Sequence, residues 1–221
     1  MSSLNITIQG NNLKVSEQIL ASNIDRHPNY DHLKTIVFGE ELSKEGLIEH
    51  VDFLFRNPSA RRLTKIVVCK GDAKAIFDIK PKTANSTAQF IDSILEENSR
   101  YSVHISPLVD LTILEDQLLR KNSFILPKLE LQEDTIVIQG AGLFKSDKLI
   151  SWLDFREVAA IKWLKNEVDR GVIEIPSTTG QNNITIQIFN NNSKVKPIFR
   201  DDKLLFDVII ELGANCDIRR T

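Results

Sequence analysis

Four histidines, three clustered glutamates, one glycine pair and two tryptophans are the side chains from which chemistry could be built. The histidines are His27, His32, His50 and His104. No two share an H-x-x-x-H or similar metal-ligand spacing, so no zinc-type centre is read from them. His32, just ahead of an apolar run, is the best placed, and a structural or capping role is expected for it. Glu40, Glu41 and Glu45 suggest paired carboxylates. General acid–base work needs one carboxyl with a raised pKa in a desolvated cleft. Adjacent residues in a polar segment, with Lys44 beside them, are expected to be solvated instead. Gly140-Ala-Gly142 superficially suggests a phosphate loop but lacks the third glycine and a helix at the correct distance, so it reads as a turn. No G-x-S-x-G elbow exists. Trp152 and Trp163 fall within apolar patterns and read as core side chains. No catalytic, cofactor-binding or metal-ligating residue is assigned, and no cofactor is expected.

The elements that would position such groups are best signalled between Gly140 and Pro176. Leu143 to Lys145 and Lys148 to Leu153 read as paired strands around a Ser146-Asp147 turn. Asp154 followed by Glu157 is a capping-box arrangement. Val158, Ile161, Leu164 and Val168 then recur at helical spacing, flanked by Phe155, Ala159 and Trp163, which predicts a helix lying flat on a sheet. Gly171 is expected to stop it. Val172 to Ile175 reads as a strand ended by Pro176.

Upstream, Leu4 to Gln9 alternates like a short strand, and Leu13 to Asp25 reads as a helix with Val15, Ile19, Leu20 and Ile24 inward. Leu33 to Phe38 reads as a central strand, Leu47 to Phe55 as a helix stopped by Asn57-Pro58, and Lys65 to Cys69 as a buried strand. Asp72 to Phe77, Thr87 to Glu97 and Leu108 to Arg120 read as helices. Ser123 to Gln132, broken by Pro127, reads as a boundary. Beyond it, Thr135 to Ile138, Asn183 to Phe189 and Leu204 to Leu212 read as strands, with Ser177 to Asn182 and Asn190 to Ser193 as polar loops. This rhythm predicts an α+β fold, mixed sheets with helices packed on them. The expected units are residues 1–127, 128–199 and 200–221. Lacking its partner strands, the last strand would be an apolar ribbon prone to association.

The 221 residues carry a formal net charge of −2. A sequence-independent grip on nucleic acid needs clustered positive charge, so no nucleic-acid partner is read. Cys69 and Cys216 lack metal-ligand spacing; Cys69 reads as a buried small hydrophobe, while a disulfide between the two stays open. The start MSSLNITIQG lacks signal-peptide features, and no apolar run is long enough to span a bilayer.

Two blocks resemble the Ger(x)C family, the C subunits of bacterial spore germinant receptors. The first is HLKTIVFGEELSKEGL, His32 to Leu47, followed by Phe53 to Arg56 and Asn57-Pro58. The second holds GAGLFKSDKL from Gly140, the Trp-Leu-Asp ending at Asp154, Trp163-Leu164 and the Gly171 to Pro176 exit. The resemblance covers most of residues 4–212. It implies a non-enzymatic subunit of a nutrient germinant receptor, acting in spore germination with the receptor's membrane subunits as partners. It also implies lipid anchoring at the outer face of the spore inner membrane, although this chain shows no signal peptide or lipobox. A chain beginning and ending short of the family pattern is expected to be a fragment of a multi-domain lipoprotein. A germinant-binding module and, less favoured, a hydrolase are the competing readings. The loops Pro81 to Ser86 and Ser177 to Asn182 are the candidate contact surfaces.

Overall fold

The computed structural model describes residues 5–10, 12–24, 30–101, 103, 105–168, 170–175 and 184–217. The architecture is α+β. A six-stranded mixed sheet carries helices on both faces, and a separate three-stranded antiparallel sheet follows it.

The large sheet is built outward from β2 (Lys65–Cys69). Ile66, Val67, Val68 and Cys69 are all fully buried, as expected of a strand covered on both faces. The two-residue period of a strand divides them. Ile66 and Val68 enter one core layer, Val67 and Cys69 the other. The first layer is closed by α3 (Ile48–Arg56) and α6 (Leu111–Leu119), through Val51, Leu54, Leu111, Leu114 and Leu118. The second is closed by α4 (Ala73–Asp78) and α5 (Thr87–Tyr101), through Ile76, Ile91 and Leu95.

β1 (Thr35–Phe38) runs parallel to β2 and forms the sheet's edge, not the central strand expected. Its apolar sequence reflects helices over its faces; edge position is set by pairing, which local pattern does not encode. β3 (Val109–Asp110) pairs with the start of β2 and delays α6 to Leu111, three residues past the expected start. Asp110 then caps the helix by accepting from Ile113 N at 2.9 Å. Residues 5–10 form no strand; Asn5 donates to the Phe77 carbonyl at 3.0 Å. α1 (Leu13–Asn23) forms as expected, but none of its residues is buried, Val15 included.

Ser123 to Gln132, expected as a boundary, is strand β4 (Ser123–Gln132), parallel to β2 and antiparallel to β5 (Thr135–Lys145). Pro127 is tolerated because β2 pairs only from Lys128 onward and a register shift lies beside it. A division at residue 127 therefore falls inside this strand. Gly140-Ala-Gly142 is likewise not a turn; it lies within β5, at the bulge where Pro127 pairs with Ala141 but Leu129 with Ile138. β6 (Lys148–Leu153) completes the hairpin around Ser146, which has a positive φ.

α7 (Phe155–Leu164) begins with the expected capping box. Asp154 Oδ1 accepts from Arg156 N and Glu157 N, both at 2.8 Å, while Glu157 Oε2 accepts from Asp154 N at 2.8 Å. Such a cap contributes about 1 kcal/mol. Its other end differs from expectation. Asn166, at φ 59°, takes the left-handed conformation that was expected of Gly171, and Gly171 opens β7 (Gly171–Ile175). Val168 is buried but lies past the helix.

β8 (Ile184–Arg200) pairs with β7 over its first part and with β9 (Lys203–Asp217) along its length. Asn190 to Ser193, expected as a loop, lies inside β8. The third unit expected from residue 200 is the returning arm of the same hairpin, closed by Asp201 and Asp202 at φ 50° and 56°. Thus β9 does have a partner strand.

Candidate functional site

The three clustered glutamates all lie on α2 (Glu40–Glu45), directly after β1. Glu40 carries the contacts. Its backbone N–H donates to the Gly71 carbonyl at 3.1 Å, and its Oε2 accepts from Gly71 N at 2.8 Å. Its Oε1 accepts from the Trp152 indole Nε1 at 3.3 Å and faces Lys44 Nζ at 2.9 Å. Seven residues on, just past α2, Leu47 N donates to the Asp147 carbonyl at 3.0 Å. The blocks His32 to Leu47 and Gly140 to Asp154 therefore meet as one junction, with α2 laid on β6. Leu47, Phe144 and Leu149 are buried beneath it in the same core layer, and Trp152 packs against that layer.

This junction saturates its own polar groups. The hydrogen bond from Lys44 does most to hold the Glu40 carboxyl below the usual carboxylate range; burial opposes it, and Gly71 and Trp152 add to it. Glu130 is likewise held low, first by Lys128 at 3.0 Å, against burial, and then by Lys70 at 3.1 Å. A carboxyl kept ionised at neutral pH cannot serve as a general acid there. Glu41 is exposed beside Lys44.

The histidines are not brought together. His32 borders a mainly apolar cavity of about 340 Å³ beside β1, shared with Thr35, Val37, Phe77 and Ile91. Thr35 Oγ1 in that wall is buried without a hydrogen-bond partner. His50 is half-buried on α3; His27 and His104 lie outside the described residues. Among the described residues, no group of three or more His, Cys, Asp or Glu side chains could hold a metal ion. Burial, followed by the acids Asp72, Glu40 and Glu130, pushes the Cys69 thiol up to about 11, so it carries little thiolate at neutral pH. The Cys216 side chain lies outside the described residues. Pro81 to Ser86 borders a cavity of about 760 Å³ with Asn5 and Phe77, whereas Ser177 to Asn182 lies outside the described residues.

Three features escaped the sequence reading. Trp152 looked like core alone, yet it reaches Glu40 across 112 positions. Lys162 is buried on α7 and donates to the Ile105 carbonyl at 3.3 Å; a lysine at a core-facing helical position was the available signal. Asn191 is also buried, donating to the Trp163 carbonyl at 3.0 Å and accepting from Val168 N at 3.4 Å. It ties β8 to the end of α7, and nothing in a run of three asparagines singles it out.

Two family descriptions match the chain in order. "Spore germination protein N-terminal domain" covers residues 2–131, and "Spore germination B3/GerAC like, C-terminal" covers residues 139–220. Spore germination protein YndF of Bacillus subtilis is 26% identical over 211 residues, spanning 94% of this chain and 52% of the relative. Spore germination protein B3 of the same organism is 25% identical over 217 residues, spanning 94% and 56% respectively. The chain thus spans about half the length of the curated relatives it matches. The crystal structure of the GerBC protein superposes with a TM-score of 0.65 at 20% identity, over 91% of this chain and 59% of that one.

Proposed function

Because this chain belongs to the Ger(x)C (GerAC) family of spore germination proteins, we propose that it is a non-enzymatic subunit of a nutrient germinant receptor, working through protein surfaces. One observation carries this reading: the two family-like blocks are spent on each other. Glu40 with Trp152, and Leu47 with Asp147, use their polar groups to join the first block to the β5–β6 hairpin, while Gly71 ties Glu40 to the end of β2, so these residues of the two blocks are structural. The membrane subunits of the receptor are the partners in this reading, and a lipid anchor at the outer face of the spore inner membrane is the family's placement. No described helix is long and apolar enough to cross a membrane. Affinity-tagged chain, cross-linked in spores and extracted in detergent, is expected to bring the membrane subunits with it. Recovery of the tagged chain at normal yield without them would reject the reading.

A second reading draws on the cavity beside β1. Its mainly apolar wall and orphaned Thr35 hydroxyl suit a small molecule with an apolar body and one hydrogen-bonding group. A ligand that binds only the folded state raises its melting temperature. Among amino acids and sugars tested at millimolar concentration, a nutrient held here is expected to raise it for the native chain and not for Thr35→Val. A uniform absence of shift, or shifts equal in both proteins, would dismiss this cavity as the receptor's nutrient site.

A further inference from the structure

Two neighbouring strands of the large sheet send the chain to opposite faces. β1 and β2 are paired in parallel, from Thr35 with Lys65 to Phe38 with Val68. β1 leads into α2, whose Leu42 packs against the first core layer; β2 leads through Gly71 into α4, whose Ile76 lies in the second. Adjacent parallel strands whose connections diverge in this way open a crevice outside their carboxyl ends, and open α/β sheets take their ligands there. In this chain the crevice lies between Glu40 and Gly71, whose backbones meet through the bond from Glu40 N to the Gly71 carbonyl.

The crevice is filled from within. The Glu40 carboxylate enters it and meets donors from three separate parts of the chain. Gly71 N, at the exit of β2, donates to Oε2 at 2.8 Å. The Trp152 indole, on β6, donates to Oε1 at 3.3 Å. Lys44 Nζ, one turn along α2, stands 2.9 Å from the same Oε1. A backbone N–H, an indole N–H and an ammonium aimed at both oxygens form the donor set of a carboxylate site. Only 19% of the Glu40 side chain is exposed, against 49% for Lys44, so solvent reaches the site on the Lys44 side.

We infer that this crevice is a binding site for a small monocarboxylate, which the native chain keeps occupied with its own Glu40. What the site recognises is the carboxylate, since all three donors are aimed at its two oxygens. Held in place by the fold, Glu40 outcompetes dilute free carboxylates in the native chain. Gly71 and Lys44 belong to the first family-matched region and Trp152 to the second, so an occupied site also joins the two. Glu40→Ala removes Cγ, Cδ and both oxygens, the same heavy atoms that acetate contains, and leaves the donors in place.

The test is thermal melting of the full chain at neutral pH, titrated with sodium acetate against sodium chloride at equal ionic strength, with the indole N–H resonance of Trp152 followed by NMR. Glu40→Ala is expected to melt roughly 3–6 °C below the native chain, because the donors lose their acceptor. Acetate at about ten times its dissociation constant should return roughly 3 °C of this. It should also move the Trp152 resonance back toward its native position, with Trp163 as the unmoved reference. Adding Trp152→Phe to Glu40→Ala should weaken acetate binding roughly tenfold. The native chain should respond no more to acetate than to chloride. The same holds for Glu41→Ala, which removes the exposed carboxylate that pairs with Lys44 outside the crevice. Should Glu40→Ala not fold alone, acetate is expected to restore folding where chloride does not. No acetate-specific gain in Glu40→Ala, an equal gain in the native chain or Glu41→Ala, a gain indifferent to loss of the Trp152 indole, or a variant left unfolded in both salts would each overturn the inference.

Discussion

Gly140→Ala is expected to destabilise the chain by about 3 kcal/mol, lowering its melting temperature by roughly 6–12 °C for a domain of this size. Two independent causes add. Gly140 has φ 79°, a region where an L side chain costs about 1–2 kcal/mol. A Cβ built there also collides with the Leu153 carbonyl oxygen on β6, a backbone atom that cannot swing aside. Relieving that contact means shifting the β5–β6 pairing, at a cost typical of overpacked sites, about 1–3 kcal/mol. The same backbone is also bridged to Ile105, so the bulge has little room to relax. Gly71→Ala is the control, since its φ is 84° but nothing lies within 4 Å of the place its Cβ would take; it should lose only the conformational part. Equal urea midpoints for the two variants would show that the collision carries no weight.

Asp92→Asn is the second large effect. The Asp92 carboxylate on α5 is nearly buried, with 8% of its side chain exposed, between Lys65 Nζ at 2.5 Å and Lys34 Nζ at 2.9 Å. Lys65 is itself mostly buried, at the start of β2; Glu96, at 3.5 Å, is its other acidic neighbour. Removing the charge strands the Lys65 ammonium. Breaking a buried pair costs about 3–5 kcal/mol, and the lower part of that range applies because Lys65 keeps Glu96. Lys34, largely exposed, adds little. The pH dependence follows from the direction of the shift. Burial pushes the Asp92 carboxyl up, but Lys65 and then Lys34 outweigh it and hold it below the usual carboxylate range. A depressed pKa contributes stability that is complete above the unfolded carboxylate pKa of about 3.9 and is lost as pH falls through the lower folded value. The gap in unfolding free energy between native chain and Asp92→Asn should therefore be full at pH 7 and narrow below about pH 4. A gap that stays constant into acid would sink this account.

Local patterns carried much of the fold. Lys65–Cys69 was legible because a four-residue apolar run, Ile66 to Cys69, between two lysines suits a strand buried on both faces. The start of α7 was legible because a capping box is written within four residues. What escaped depends on contacts between distant residues. Gly140 and Gly142 read as a turn because glycine breaks strands on average. Here Gly140 forms the bulge, and Gly142 leaves space that Val68 Cγ1 and Leu149 Cδ1 fill, 2.8 Å and 2.9 Å from where its Cβ would stand. Asn190 to Ser193 read as a loop because polar runs usually are. Asn191 is polar for a different reason, since it satisfies the backbone left open where α7 ends. Of the candidate site, the two blocks were legible as segments but their junction was not, because Trp152 and Glu40 find each other only once the sheet exists.

That junction has a mechanical meaning. The Asp147 carbonyl holds the N–H of Leu47, and Trp152 holds Glu40, so the β5–β6 hairpin grips the beginning of α3 and the end of β1 at two points. A tug on the hairpin tip is delivered to the far edge of the sheet without passing through β4 and β2. The two regions matched by separate family descriptions are coupled here like the jaws of one clamp, and a load applied to either is shared by both.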